Sequence, residues 1–254
     1  MPEIVPRILA HRGGADGLYP ENSIPAFLEG IRAGADVLEL DVRRTSDGRV
    51  VVLHDADLGR VSGSARPVSE TSLYELQQVD LQDASGRVHP GVRVPLLDEV
   101  LEACPAARLN IDIKADDAAL VRALTELLQR HGAASRVTVG SFLSSALQLF
   151  RTLAPHIETS AHPVEVKQLL MAALLHRPPR SPAARLQVPV RHGIVPIVRR
   201  GFVDFLHRHG LAIDVWTIND PAEAQRLAAL GVDGIVTDRV RVLRSALGDT
   251  HEHT

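Results

Sequence analysis

The residues best suited to chemistry crowd into one stretch, Val37 to Asp55. It reads as two strands rich in Val and Leu, joined at Asp47-Gly48, the dipeptide that best supplies the positive φ angles of a tight hairpin. With a two-residue loop, Ser46 faces Arg49 and Asp41 faces His54, at a Cβ separation of about 4.5–5.5 Å. Alternation adds Glu39 to that face. A three-residue loop would shift the pairing by one and send His54 to the other face. A lone E-x-D would suit the polar outer face of an amphipathic hairpin. Leu38, Leu40 and Val42 also require burial, so both faces are expected to be covered and the carboxylates to line a cavity, where buried charge needs partners.

Further polar groups recur at the ends of other predicted strands: His11-Arg12-Gly13-Gly14 after Ile8–Ala10, Asp112 and Lys114 on one face of Arg108–Lys114, and Trp216, Asn219 and Asp238 late in the chain. Each has an ordinary alternative: His11 or Trp216 in the core, Lys114 capping a helix. Glu39, Asp41 and Asp112 converging at one end would repel unless a cation sat among them. Oxygen donors without a cysteine cluster favour a hard ion, Mg²⁺ or Ca²⁺. Arg12 and Lys114 would offset remaining charge, and His11 and His54 would act as general base and acid near neutral pH. A cation, basic groups and one histidine for each of the entering and leaving oxygens are what phosphodiester cleavage requires. A rival chemistry, a Schiff-base aldolase on Lys114, leaves the carboxylates unexplained.

Something must hold these groups at one rim. Apolar strand patterns starting near residues 8, 38, 108, 136, 157, 186, 212 and 234 alternate with helical ones, eight βα units in 254 residues. That count predicts a (β/α)₈ TIM barrel as a single domain over 1–254, with an extra β-hairpin arm after the second strand. Chemistry in such barrels sits at the C-terminal strand ends, where the residues above fall. Residues 55–95 read as a short insertion after His54, and the tract 176–185, with its prolines and arginines, as a mobile loop. Helix starts are expected at Asn22 or Ser23, at Asp116 or Asp117, and at Asn219-Asp220-Pro221. A net charge of −3 and 3% aromatic residues argue against a nucleic-acid binder. The single Cys104 allows no internal disulfide. Without a basic-apolar leader or an apolar run near 18 residues, a cytoplasmic protein with no stable membrane insertion is the expectation.

In this order the motifs resemble the glycerophosphodiester phosphodiesterase family: His11-Arg12-Gly13, Pro20-Glu21-Asn22-Ser23, Glu39-Leu40-Asp41-Val42, Thr45-Ser46-Asp47-Gly48 running into Leu53-His54-Asp55, Asn110-Ile111-Asp112-Ile113-Lys114, Val215-Trp216-Thr217-Ile218-Asn219 and Gly231-Val232-Asp233-Gly234. The resemblance implies a TIM barrel that hydrolyses small-molecule glycerophosphodiesters to glycerol 3-phosphate and an alcohol. It implies His11 and His54 as the catalytic pair, Glu39 and Asp41 as metal ligands, and Arg12 and Lys114 at the phosphate, with Trp216 at the substrate. Asp112 stands where the family usually has a glutamate as third ligand, and its shorter reach suggests a bridging water or a different ion. The short insertion implies an open mouth. A lysophospholipase D or phospholipase-type enzyme is the neighbouring alternative; the arginine-rich tract towards Arg208 could face an anionic membrane but reads better as solvated surface, because no apolar anchor accompanies it.

Overall fold

The computed structural model describes residues 5–248. Parallel strands β1 (Arg7–Ala10), β2 (Val37–Arg44), β3 (Arg108–Ile113), β4 (Val137–Gly140), β5 (Glu158–Thr159), β6 (Arg185–Pro189), β7 (Ala212–Trp216) and β8 (Gly234–Thr237) run side by side in the order β5-β4-β3-β2-β1-β8-β7-β6. β5 and β6 meet through a single bridge between Ser160 and Arg185, which closes the sheet into the expected barrel. A helix follows each strand: α1 (Ile24–Arg32), α2 (Leu97–Ala103), α3 (Ala118–Arg130), α4 (Ser144–Leu153), α5 (Pro163–Leu174), α6 (Arg200–Arg208), α7 (Pro221–Leu230) and α8 (Val240–Leu247).

Strand alternation sorts the side chains. Ile8, Leu38, Leu40, Ile111 and Val139 are buried outward against helix residues such as Phe27, Leu124 and Phe150. Leu9, Val37 and Val236 point inward, with Trp216 packed on them. The helix starts resolve the expected pairs of caps. Ser23 accepts from the Ala26 N–H, while Asn22 turns elsewhere. Asp117 accepts from Ala119 N–H, and Asp220 from Glu223 N–H with Pro221 in the first turn.

The hairpin departs from its expected register. Val42 pairs with Val52, Arg43 with Val51 and Arg44 with Val50, so Asp41 faces Leu53 rather than His54. The loop has three residues, Ser46 to Gly48, and only Gly48 among them has positive φ, +87°. That is the signature of a type I turn closed by a left-handed glycine, not of the two-residue turn that Asp-Gly usually marks. Thr45 stabilises it: its hydroxyl donates to Asp47 Oδ1 and accepts from Arg49 N–H. His54 nevertheless lines the same cavity as the carboxylates, because the return strand (Val50–Val52) ends before it and alternation no longer governs its direction.

The insertion at 55–95 carries its own small apolar cluster, with Leu58, Val61, Val68 and Leu76 against Val51 and Leu53 of the return arm. Two further points differ from expectation. Arg185 belongs to β6 rather than to the loop before it, and a short antiparallel hairpin, Arg191–His192 with Val195–Pro196, stands between β6 and α6. Among the described residues no helix is long and apolar enough to cross a membrane.

Candidate active site

A cavity of about 690 Å³ opens at the C-terminal strand ends. His11, Arg12, Glu39, Asp41, His54, Asp112, Lys114 and Trp216 all line it, so every site residue named from the sequence is brought to one place. Trp216 lines the cavity with one edge against Phe142, their centroids 6.1 Å apart, and is not merely core.

His11 follows β1 in the turn His11–Gly13. Arg12 there has φ +50°, and Gly13, at φ +100°, lies so close to α1 that a Cβ would sit 2.7 Å from the Ala26 Cβ. The turn aims the Arg12 N–H at Glu39 Oε2, 2.9 Å away. Strained backbone of this kind costs about 1–3 kcal/mol and is tolerated where the surroundings over-determine it.

Each histidine is held by its Nδ1. His11 Nδ1 lies 2.7 Å from Asp238 Oδ1, and His54 Nδ1 lies 2.8 Å from Asp55 Oδ1. A carboxylate at Nδ1 favours the proton there in the neutral ring, leaving Nε2 as the acceptor nitrogen. Burial opposes charge on His11, but the Asp238 hydrogen bond and the Glu39 charge prevail and raise its pKa. Asn219 buttresses this pair: its Nδ2 donates to Asp238 Oδ2 at 2.7 Å, and its Oδ1 accepts from Asp238 N–H and the Thr237 hydroxyl. On the other side, Arg60 from the insertion donates to both Asp55 and Glu21, and Glu21 also accepts from Arg12.

Between the histidines sit the carboxylates. Burial and the neighbouring charge of Asp41 push Glu39 up to about 8. Burial works to raise Asp41 too, but Lys114, Arg12 and the Asn22 amide outweigh it and hold it below the ordinary range. Lys114 Nζ lies 3.0 Å from Asp41 Oδ1 and 2.5 Å from Asp112 Oδ2. Burial favours a neutral amine, yet these two carboxylates raise the Lys114 pKa. A Schiff-base lysine needs the opposite shift, so the aldolase reading has no support in this geometry. Burial raises Asp112 against the pull of Lys114, and its Oδ1 is buried without a hydrogen-bond partner among the described residues.

Among the described residues no three His, Cys, Asp or Glu side chains are already arranged to hold a metal ion. The donor set still suits a hard cation: it is all oxygen, it includes the orphaned Asp112 Oδ1, and it contains a Glu39 that burial drives towards neutrality for want of positive charge.

The glycerophosphoryl diester phosphodiesterase family profile matches residues 11–242. The chain belongs to that family. It is 33% identical over 249 residues to the probable glycerophosphodiester phosphodiesterase 2 of Mycobacterium tuberculosis, covering 94% of this chain and 89% of the relative. It is 32% identical over 243 residues to the glycerophosphodiester phosphodiesterase of Bacillus altitudinis, covering 91% and 94%. The fold superposes with a TM-score of 0.81 on an Oleispira antarctica phosphodiesterase solved with its product sn-glycerol-3-phosphate, at 24% identity, covering 96% of this chain and 97% of that one. The chain is thus a phosphoric diester hydrolase of the glycerophosphodiester class.

Four residues that support this site carry no site role in the sequence reading. Asp55 directly follows a histidine, and that adjacency was the available signal. Asn219 and Asp238 were legible only as rim residues. Asn22 reads as a helix cap, whereas its Nδ2 donates to Asp41 Oδ2 at 2.9 Å.

Proposed function

We propose that this phosphodiesterase cleaves glycerophosphodiesters with His11 and His54 as a general acid–base pair and with a divalent cation, Mg²⁺ or Ca²⁺, held by Glu39, Asp41 and Asp112. The observation that carries the reading is the matched pair of His–Asp contacts facing one carboxylate cluster. Both histidines line the same cavity as Glu39, Asp41 and Asp112, each with its Nδ1 held by its own aspartate.

When bound, the cation withdraws charge from the phosphoryl oxygens and favours attack on phosphorus. Arg12 and Lys114 bind the remaining oxygen charge, and Trp216 walls the glycerol side. One histidine takes a proton at Nε2 from water or from the glycerol 2-hydroxyl. The other gives its Nε2 proton to the departing alkoxide. Attack by the 2-hydroxyl yields a cyclic phosphate, which water opens after the histidines exchange roles; a substrate lacking that hydroxyl separates the two routes.

The test is hydrolysis of glycerophosphocholine by the full chain before and after EDTA, then with Mg²⁺ or Ca²⁺ restored, alongside His11→Ala and His54→Ala. Loss and recovery with the cation, and a drop of about 10²–10⁴ in kcat for each variant, are expected. Full activity in EDTA removes the cation from the proposal, and near-wild-type variants remove the histidines.

One observation favours a second reading, action on lysophospholipids. Beyond the polar end, the same cavity is walled by Phe142, Val166, Leu170, Val188 and Ile197, apolar side chains that a glycerophosphodiester with a small alcohol leaves uncovered. Each methylene buried there is worth about 0.8 kcal/mol. A fall in KM with acyl length across a lysophosphatidylcholine series supports this reading; KM independent of length refutes it.

A further inference from the structure

A second cavity, of about 250 Å³, lies at the opposite end of the barrel, among the residues that open the strands. Arg7 begins β1, Arg108 begins β3, Arg185 begins β6 and Arg136 immediately precedes β4; all four arginines line this space. The carboxylates there are Asp214 and Glu158, so the lining carries two more positive than negative groups.

The existing contacts do not use up that charge. Arg185 is committed to Asp214, donating to both carboxylate oxygens at 2.8 and 2.7 Å. Arg7 reaches Asp214 only at 3.6 Å and forms no side-chain hydrogen bond among the described residues. Arg136 donates to the backbone carbonyls of Ala107, Cys104 and Leu101, which satisfy its N–H groups without neutralising its charge. Arg108 is exposed and has no partner among the described residues. Burial together with repulsion from Arg185 and Arg108 lowers the Arg7 pKa, outweighing the pull of Asp214 and of Asp233 just outside the lining. A barrel floor built only for rigidity would pair its charges; this one leaves a surplus facing a space with room for about eight waters.

We propose that the barrel floor binds a small phosphate-bearing dianion, with Arg7 and Arg108 as its principal donors. A guanidinium presents paired N–H groups that match phosphoryl oxygens, and the volume admits a phosphoryl group with a short organic tail. The excess of two positive groups distinguishes the two ends of the family reaction: a phosphate monoester product is close to dianionic at pH 7, whereas the diester substrate carries one charge. The floor is therefore a product-type site, separated from the active cavity by Asn110, which lines both. This inference does not depend on the acid–base roles of the histidines or on the cation.

Calorimetric titration of the full chain with inorganic phosphate, sn-glycerol 3-phosphate and dimethyl phosphate tests it, with Arg108→Gln, Arg7→Gln and the active-site variant Lys114→Gln in parallel. Arg108 has no internal partner and Asp214 keeps Arg185, so neither floor variant removes an interaction that the fold depends on. The expected result is two bound equivalents of the monoester in the wild-type chain, one of them weakened about tenfold or more by either floor variant and retained in Lys114→Gln. Equal binding of inorganic phosphate identifies the phosphoryl group as the ligand, and tighter monoester binding adds its tail; both outcomes support the site. One equivalent in the wild-type chain that only Lys114→Gln abolishes, or a floor affinity unchanged in both floor variants, overturns it. Dimethyl phosphate held at the floor as tightly as the monoester overturns the dianion assignment.

Discussion

Asp238→Asn isolates the contact that orients His11. Asp238 offers two acceptor oxygens, one to His11 Nδ1 and one to Asn219 Nδ2. An asparagine offers one acceptor and one donor, so either Asn219 meets an N–H with an N–H or His11 takes the other tautomer, with Nδ1 as acceptor and the proton moved to Nε2. Charge-assisted hydrogen bonds of this kind are worth about 1.5–3 kcal/mol. Because the Asp238 side chain is 49% exposed, solvent screening places the loss at the lower end, about 1.5–2 kcal/mol. A cost of that size in the transition state is a fall of about ten- to thirtyfold in kcat/KM. The substitution also removes a carboxylate that raises the His11 pKa, so the limb of the pH–rate profile belonging to His11 moves to lower pH. Stability carries the same sign. The folded pKa is raised, so the pair stabilises fully below the unfolded value near 6.5 and loses that contribution as pH rises through the folded value. The difference in Tm between the wild-type chain and Asp238→Asn should therefore be larger at pH 5.5 than at pH 9. A variant with kcat/KM within twofold of wild type and both limbs unmoved would refute the orienting role.

Asn22→Ala should destabilise the fold by about 3 kcal/mol, from a lost hydrogen bond to a buried carboxylate plus the cost of alanine at φ +54°, read as a shift in the urea midpoint; a shift below 0.5 kcal/mol, on the order of measurement error, contradicts it. Arg60→Ala, which cuts the insertion from Asp55 and Glu21, should lower kcat/KM about three- to tenfold while leaving the Tm nearly unchanged, since its side chain is 47% exposed. Phe150→Ala opens a fully buried site and should cost about 3–5 kcal/mol by denaturant unfolding, with KM unaffected in the surviving folded enzyme.

Much of this was legible in the residues. The eight barrel strands are carried by runs such as Leu109–Ile113 and Ile213–Val215, whose apolar side chains leave no alternative to burial. Helix starts followed from Ser23, Asp117 and Asp220, each of which caps as its chemistry requires. Two kinds of information were not local. The hairpin register turned on Thr45, whose hydroxyl favours a three-residue loop over the turn that Asp47-Gly48 suggests, and on where the return strand stops. The supporting residues Asp238 and Asn219 sit more than 200 positions from His11 in the chain, so only closure of the barrel brings them to it. The surplus of arginine at the floor was equally hidden, since Arg7, Arg108 and Arg185 are each ordinary at the start of a strand.

The seam between β5 and β6 has a mechanical consequence. Elsewhere neighbouring strands share ladders, but here two hydrogen bonds, Ala184 N–H to Thr159 O at 3.1 Å and Ala161 N–H to Arg185 O at 2.8 Å, flank one bridge. The residues that leave this seam, Ala161 to Leu170 on one side and Gln187 to Ile197 on the other, supply all of the apolar wall of the cavity named above except Phe142. The carboxylates and histidines are carried by the β1, β2, β3 and β8 side, where β1 pairs with β8 and β2 with β3 along continuous ladders. The carboxylates and histidines thus stand away from the most weakly paired seam of the barrel, and the apolar arm of the cavity stands beside it. Opening at that seam would widen the apolar arm while leaving the distances among the carboxylates and histidines in place.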